Sequence, residues 1–203
     1  MNEREMWDAR FSDEEYVYGL EPNSFLAESV DRLKPEGRVL SLGAGEGRNE
    51  VWLAERGFRI LAVDSSSVGL DKLRHLAHRR KVRVETLLAD IREFRPEKSA
   101  FDAILLVFLH LASADRPALH SRIWHSLAPG GIFLAELFRG EQIMRSSGGP
   151  RNPDLLYERE EFERDFPDAE WMILRELKRD LSEGALHMGE ACLIQALARK
   201  PGG

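Results

Sequence analysis

An apolar run that ends in alternating glycines is the feature that most constrains the fold of this chain. Residues 39–42 form the run, and they lead into Gly43, Gly45 and Gly47. A helical pattern of apolar residues follows at once over 51–54. Glycine is favoured where the backbone needs a positive φ or where a ligand comes too close for a Cβ atom. The stretch therefore predicts a strand, a tight turn that serves as a ligand platform, and a helix.

A second strand indicates what kind of ligand the turn holds. Residues 58–63 lead directly into Asp64, about twenty residues after the glycines, where nucleotide-binding α/β folds place an acid that accepts hydrogen bonds from ribose hydroxyls. The dinucleotide pattern G-x-G-x-x-G requires a glycine at position 48, and the chain has Arg48 there. The tighter G-x-G-x-G spacing favours a different adenosine-containing cofactor.

On these residues the chain resembles the class I S-adenosylmethionine-dependent methyltransferases. Within them it is similar to the small bacterial group related to the tellurite-resistance methyltransferase, whose glycine turn also runs into Arg-Asn, here Arg48-Asn49. The resemblance spans nearly the whole chain. It implies a Rossmann-like α/β fold, a seven-stranded and mostly parallel sheet with helices on both faces and an antiparallel C-terminal hairpin. It also implies S-adenosyl-L-methionine as cofactor and S-adenosyl-L-homocysteine as product.

The resemblance assigns a set of residues to the cofactor, mostly where the first four strands end. These are Tyr18, Gly43, Ala44, Gly45, Gly47, Asn49, Asp64, Ser65, Asp90, Ile91 and Phe108. Asp90 is expected to meet the adenine amino group and Ile91 to border the ring, with a turn or helix cap as the alternative for Asp90. One position departs from the family. An acid usually stands two residues before the first glycine and helps to hold the methionine amino end, and here that residue is Ser41.

Three residues are candidates for catalysis at the acceptor side. His110 follows the apolar strand at 103–108, where open α/β sheets place their ligands. There it would either take a proton from the acceptor or hydrogen-bond the loop. His187 lies at the start of the last predicted strand and faces either the surface or the substrate. Tyr18 belongs to an aromatic N-terminal cluster, which either packs on the core or closes over the sulfonium cation of the cofactor.

The chain is predicted to form one methyltransferase domain. Its 203 residues, 43% of them hydrophobic, suffice for one globular core. We expect an N-terminal arm and helix over the cofactor site at 1–34 and a cofactor-binding core at 38–138. A flexible loop is expected at 139–157, then a C-terminal helix and strand hairpin at 158–203. Long loops beside a cleft are often lids, and a plain surface excursion is the alternative.

The amino-acid composition limits the kinds of partner that the chain is expected to bind. A formal net charge of -6 disfavours nucleic acid, which is bound largely through Lys and Arg. The single cysteine, Cys192, excludes internal disulfides and multi-cysteine metal sites, and no metal is expected. The longest apolar run, 103–109, is too short to span a membrane. We expect a cytoplasmic protein, a monomer or homodimer, whose partner is a small-molecule methyl acceptor.

The expected activity is transfer of a methyl group from S-adenosylmethionine to that small acceptor. The family resemblance points to oxyanions of tellurium or selenium, or to soft thiols. Two alternatives stay open. One is an NAD(P)-dependent Rossmann oxidoreductase, which would share the first strand, the turn and Asp64. The other is a non-catalytic S-adenosylmethionine-binding protein, which the departure at Ser41 keeps open.

Overall fold

The computed structural model describes residues 2–202. The strands in this span are β1 Arg38–Leu42, β2 Arg59–Asp64, β3 Glu85–Leu88, β4 Phe101–Val107, β5 Leu127–Phe138, β6 Glu170–Ser182 and β7 Met188–Arg199. The α-helices are α1 Glu3–Phe11, α2 Ser24–Ser29, α3 Arg48–Ala54, α4 Ser67–Arg80, α5 Arg116–Ser126 and α6 Arg159–Asp165. Short 3-10 helices cover Val30–Arg32, Gly140–Met144 and Pro153–Leu155.

All seven strands join one sheet in the order β3-β2-β1-β4-β5-β7-β6. The pairs from β3 across to β5 are parallel, and β7 runs antiparallel to both of its neighbours. The chain order reverses at β1, which lies between β2 and β4. Ligands of open α/β sheets bind at such a switch point, outside the carboxyl ends of the strands. The predicted fold class is confirmed.

The central strands read as continuous apolar runs because both faces of the sheet are covered. Successive side chains of a strand point to opposite faces. Leu40 of β1 and Ile104 of β4 accordingly pack in the core on one face, whereas Val39 and Leu105 pack on the other. The two cores hold β1 and β4 in place, and with them the loops that follow their carboxyl ends.

Helix α4 fixes the turn that follows β2. The Ser66 hydroxyl accepts a hydrogen bond from the Gly69 amide at 3.0 Å and so caps the helix. Leu70, Leu73 and Leu76 recur at helical spacing, which predicts an apolar helix face, and all three are buried in α4. Lys81 ends the helix in the left-handed conformation.

Several element boundaries differ from the sequence-based expectation. The alternation of residues 82–88 predicts a third strand over that span, but β3 begins at Glu85, because the Val82 amide donates to the Ala77 carbonyl at the end of α4. The run Pro129-Gly130-Gly131 predicts a turn before the fifth strand, but these residues lie inside β5, where the Gly130 amide donates to the Lys200 carbonyl.

Differences also occur at the N-terminal helix and at the last strand. The sequence predicts a helix, capped by Asn23 or Ser24, that runs through Leu33; α2 instead ends at Ser29, and the chain continues as the 3-10 helix Val30–Arg32. His187, expected at the start of the last strand, lies one residue before β7. It therefore belongs to the loop that connects β6 to β7.

Candidate functional site

A cleft of about 380 Å³ opens at the carboxyl ends of the strands around the switch point. Its size is within the usual range for small-molecule sites. Every residue that the sequence assigned to cofactor binding or catalysis lines it: Tyr18, Gly43, Ala44, Gly45, Gly47, Asn49, Asp64, Ser65, Asp90, Ile91, Phe108, His110 and His187. The structure brings these residues together, and their individual roles remain predictions.

The glycine turn connects β1 to α3 along the floor of the cleft. Gly47 has φ 88°, and a Cβ atom at this residue would collide with the side chain of Leu73. A larger residue would therefore be strained twice, by its backbone and by α4. The amide of Gly45 donates to Asp64 Oδ2 at 2.7 Å, so the turn and the end of β2 are held together.

Asp64 is fixed from two sides by backbone donors. In addition to Gly45, the Ser66 amide donates to Asp64 Oδ1 at 2.8 Å. Burial raises the pKa of Asp64, and these hydrogen bonds act in the opposite direction. A carboxyl group held this rigidly at the cleft wall is suited to accept hydrogen bonds from a diol.

Asp90 also lines the cleft and belongs to a charged cluster. Arg92 donates to Asp90 Oδ2 at 2.6 Å, and this hydrogen bond lowers the pKa of Asp90. The Arg92 amide also donates to Asp90 Oδ1 at 2.9 Å. Asp90 therefore caps the turn that it begins, which is the alternative to a role in adenine binding. Arg92 further reaches Glu3 of α1 at 3.4 Å, which brings the N-terminal arm over this end.

The N-terminal arm is held over the cleft by Glu46, a residue that sequence reasoning missed. Its carboxylate accepts from the amides of Val17 and Tyr18, each at 3.3 Å. Lys72 of α4 forms an ion pair with it at 2.6 Å. Glu46 stands inside the glycine turn, but its partners are 26 or more residues away in the sequence, and no local pattern signals such pairing.

An aromatic wall, formed by Tyr18, Phe108, Phe138 and His187, closes one end of the cleft. The His187 ring lies 4.5 Å from Tyr18 and 4.6 Å from Phe108, between centroids. Phe138 lies 4.7 Å from Phe108. Phe108 has φ 52°, a left-handed conformation that costs a bulky residue about 1–3 kcal/mol and that recurs at functional sites.

His110 extends the wall towards the N-terminal arm. Its ring lies 5.4 Å from Trp7 of α1 and 6.3 Å from Phe138. Burial, followed by the nearby charge of Arg10, lowers the pKa of His110 to about 4.

His187, like His110, is uncharged at neutral pH. Burial, followed by the charge of Arg48, lowers its pKa to about 3. Its Nδ1 atom is buried and has no hydrogen-bond partner among residues 2–202. Both histidines are therefore uncharged at neutral pH, and each ring has one N–H donor and one acceptor nitrogen.

Arg48 and Glu183 connect the two ends of the cleft. Arg48 Nη2 donates to Glu183 Oε2, and Glu183 Oε1 accepts from Arg179 at 2.6 Å. Burial opposes the charge of Glu183, but the arginines more than offset it and lower its pKa. The position of Glu136 near the end of the fifth strand predicts it on the rim of the cleft, but its side chain is fully buried and accepts hydrogen bonds from Arg179 and Asn23.

The segment at 139–157, expected as a flexible loop, is anchored at the site. Gln142 accepts from the Cys192 amide at 2.8 Å and donates to the Gly148 carbonyl at 2.9 Å. A Cβ atom at Gly148 would lie 2.7 Å from the His187 ring, so the backbone there packs directly behind the wall. Whether the segment moves as a lid remains a prediction.

Within residues 2–202 no cluster of three or more His, Cys, Asp or Glu side chains could hold a metal ion. No helix of the same span is long and apolar enough to cross a bilayer.

Comparison with known proteins identifies the domain. Residues 39–131, from β1 to the middle of β5, match the family described as a methyltransferase domain. This segment, just under half of the chain, is a methyltransferase domain. The predicted resemblance to S-adenosylmethionine-dependent methyltransferases, and with it the cofactor, is supported by this match and by the methyltransferases described next.

Two curated relatives of this methyltransferase domain come from bacteria. The cypemycin N-terminal methyltransferase of Streptomyces is 32% identical over 139 residues, which cover 66% of this chain and 56% of that protein. The carboxy-S-adenosyl-L-methionine synthase of Vibrio cholerae is 31% identical over 108 residues, 50% of this chain and 44% of that protein. The chain thus spans about half the length of these relatives.

Solved structures extend the likeness beyond the matched segment. TehB from Haemophilus influenzae superposes with a TM-score of 0.72 at 17% identity, over 97% of this chain and 66% of that one. The N-methyltransferase NodS from Bradyrhizobium japonicum superposes with a TM-score of 0.68 at 14% identity, over 88% of this chain and 95% of that one. The [4+2]-cyclase SpnF superposes with a TM-score of 0.75 at 16% identity, over 98% of this chain and 95% of that one. Such low identities establish the fold, which is shared by proteins whose names describe different reactions.

Proposed function

We propose that this protein binds S-adenosylmethionine across the glycine turn and transfers its methyl group to a small molecule held at the aromatic wall. The observation that carries the proposal is the division of one cleft into two unlike ends. Backbone donors and the acids Asp64 and Asp90 lie at one end, and aromatic rings with two neutral histidines lie at the other.

The cofactor end fits an adenosine with a cationic side chain. Asp64 is held by the amides of Gly45 and Ser66 in a position to accept from the ribose hydroxyls. Asp90 and Ile91 line the place expected for adenine. The glycine turn lines the cleft with main-chain atoms at Gly43, Gly45 and Gly47, which are open to a ligand that approaches the backbone.

The aromatic wall suits the reacting end. Rings attract a cation through their faces, so Tyr18 and Phe108 favour a sulfonium placed against them. The bound cofactor supplies an electrophilic methyl group that needs no further activation. The chain's task is then to exclude water and to align the acceptor, and orientation alone supplies about 7–11 kcal/mol of barrier reduction.

His110, His187 and Tyr18 are proposed to hold the acceptor. Because burial keeps both imidazoles neutral, each offers an N–H donor and an unprotonated nitrogen at neutral pH. The buried Nδ1 atom of His187 has no hydrogen-bond partner in the described part of the chain, and a bound acceptor would supply one. Tyr18 is oriented by Arg10, which donates to its hydroxyl at 3.1 Å.

The proposal is tested first by calorimetry. We expect S-adenosylmethionine and S-adenosylhomocysteine to bind and NADH not to bind. Binding of NADH alone would favour the oxidoreductase alternative instead. Incubation with thiols and with selenium or tellurium oxyanions, followed by mass spectrometry, should then give a methylated acceptor and S-adenosylhomocysteine. Tight cofactor binding without turnover of any acceptor would support the non-catalytic alternative.

A further inference from the structure

A carboxylic acid without full hydrogen bonding is buried beneath the glycine turn. Glu50, in the first turn of α3, is only 1% exposed. Its Oε1 atom accepts from the Ser41 hydroxyl at 2.5 Å. Its Oε2 atom is buried and has no partner among the described residues. A buried carboxylate is costly unless it is paired and fully hydrogen-bonded, so Glu50 needs an explanation.

The charged groups around Glu50 leave its ionisation finely balanced. Burial is the largest influence and raises the pKa of Glu50 to about 7. Three influences act to lower this pKa: the hydrogen bond from Ser41, a hydrogen bond from the backbone amide of Glu50 itself, and the charge of Arg48 on the same helix. The charge of Asp64 at the end of β2 acts to raise it. Near neutral pH the group is therefore about half protonated.

Glu50 lies close to the ligand platform although it does not line the cleft. The two residues before it, Arg48 and Asn49, both line the cleft. Its partner Ser41 stands two residues before Gly43, which itself lines the cleft. Because the Glu50 side chain is buried, a cation in the cleft would act on it through protein of low effective dielectric and not through bulk water.

We propose that Glu50 is a positioning residue for the cationic end of the cofactor, and that it loses its proton to solvent when S-adenosylmethionine binds. The family usually has an acid on β1 at the position of Ser41. In this chain the carboxylate of Glu50 on α3 supplies that negative charge instead. The inference rests on the proposed function, because it requires the cofactor to occupy this cleft. S-adenosylhomocysteine lacks the sulfonium charge and therefore releases less of the proton.

The test measures protons. Titration of S-adenosylmethionine at pH 7, in buffers with different ionisation enthalpies, gives the number of protons released on binding. We expect up to about half a proton for the unaltered protein, because about half of Glu50 is protonated at this pH. S-adenosylhomocysteine should release less. The affinity for S-adenosylmethionine should rise several-fold between pH 6 and pH 8.

Two variants and a control make the assignment specific. Glu50→Gln should bind without proton release and with nearly constant affinity over this pH range. Ser41→Ala should shift the affinity profile to higher pH, since it removes a hydrogen bond that favours the ionised carboxyl. Glu55→Gln changes an exposed acid at the end of the same helix and should leave proton release unchanged.

Infrared spectroscopy of the unaltered protein gives a readout that does not depend on folding of the variants. A protonated-carboxyl band near neutral pH should disappear when S-adenosylmethionine is added. Binding without proton release, or equal release in Glu50→Gln, would overturn the inference and leave the proposed function intact. Absence of binding at every pH would overturn the proposed function itself.

Discussion

Arg48 and Glu183 lie 2.5 Å apart, and each side chain is only 8% exposed. The pair joins the helix that follows the glycine turn to the loop that precedes β7. Through it, the cofactor end of the cleft is tied to His187 in the aromatic wall.

Replacement of Glu183 with Ala should destabilise the protein strongly. The change leaves Arg48 buried without its partner, and loss of one member of a buried ion pair costs about 3–5 kcal/mol. Urea unfolding measures the loss. Glu163→Ala is the control, because its pair with Arg159 is about half exposed and should contribute no more than about 1 kcal/mol. Equal losses in the two variants would show that burial does not set the strength of the Arg48 pair.

Asp64→Ala should weaken cofactor binding while the fold remains. Hydrogen bonds to a charged group contribute about 1.5–3 kcal/mol, which corresponds to roughly a 10- to 100-fold rise in the dissociation constant for S-adenosylhomocysteine. Asp71→Ala, at an exposed position of α4, should bind normally. Unchanged affinity in a folded Asp64→Ala protein would exclude this carboxylate as the ribose ligand.

Gly45→Val should abolish cofactor binding by filling the turn. Gly45 has φ 53°, so the substitution also strains the backbone. Gly130→Val is a matched control, since Gly130 has φ 74° but a Cβ atom there meets nothing within 4 Å. Calorimetry and thermal unfolding should show strain in both variants and loss of binding in Gly45→Val alone. Normal binding by a folded Gly45→Val protein would place the ligand elsewhere.

The burial of His187 makes stability depend on pH. The unfolded chain protonates this ring below its ordinary pKa of 6.5, whereas the folded protein resists protonation until about pH 3. Stability should therefore fall as the pH drops through this window, by about 2 kcal/mol between pH 7 and pH 5 from this residue. Urea unfolding of His187→Gln should lose that part of the dependence, and exposed His75→Gln should retain it. The same pH dependence in His187→Gln would assign it to other groups.

The parts of the site that could be predicted from the sequence are those encoded over short distances. Glycine spacing, the strand that leads into Asp64, and the apolar run before Phe108 are local patterns, and the structure brings their residues into one cleft. The fold that these patterns predicted is the one observed, and the family match supports the cofactor that the resemblance implied.

Contacts between distant segments could not be predicted. Glu183 and Arg48 are 135 residues apart, and the pairing of Gly130 with Lys200 turned an expected turn into strand. Glu46 and Glu50 look like ordinary helix-terminal acids in the sequence, and only packing shows that both are buried. Such burial depends on which strands become neighbours, which a single sequence does not specify.

The strand order has a consequence for how the molecule assembles. β7 is the last strand along the chain, yet it pairs with β5 on one side and β6 on the other. The platform from β1 to β4 uses segments that follow one another closely during synthesis. The aromatic wall around His187 cannot form until β7 has inserted between β5 and β6, which are both synthesised before it. The half proposed to hold the cofactor can thus fold early, and the half proposed to select the acceptor is completed last.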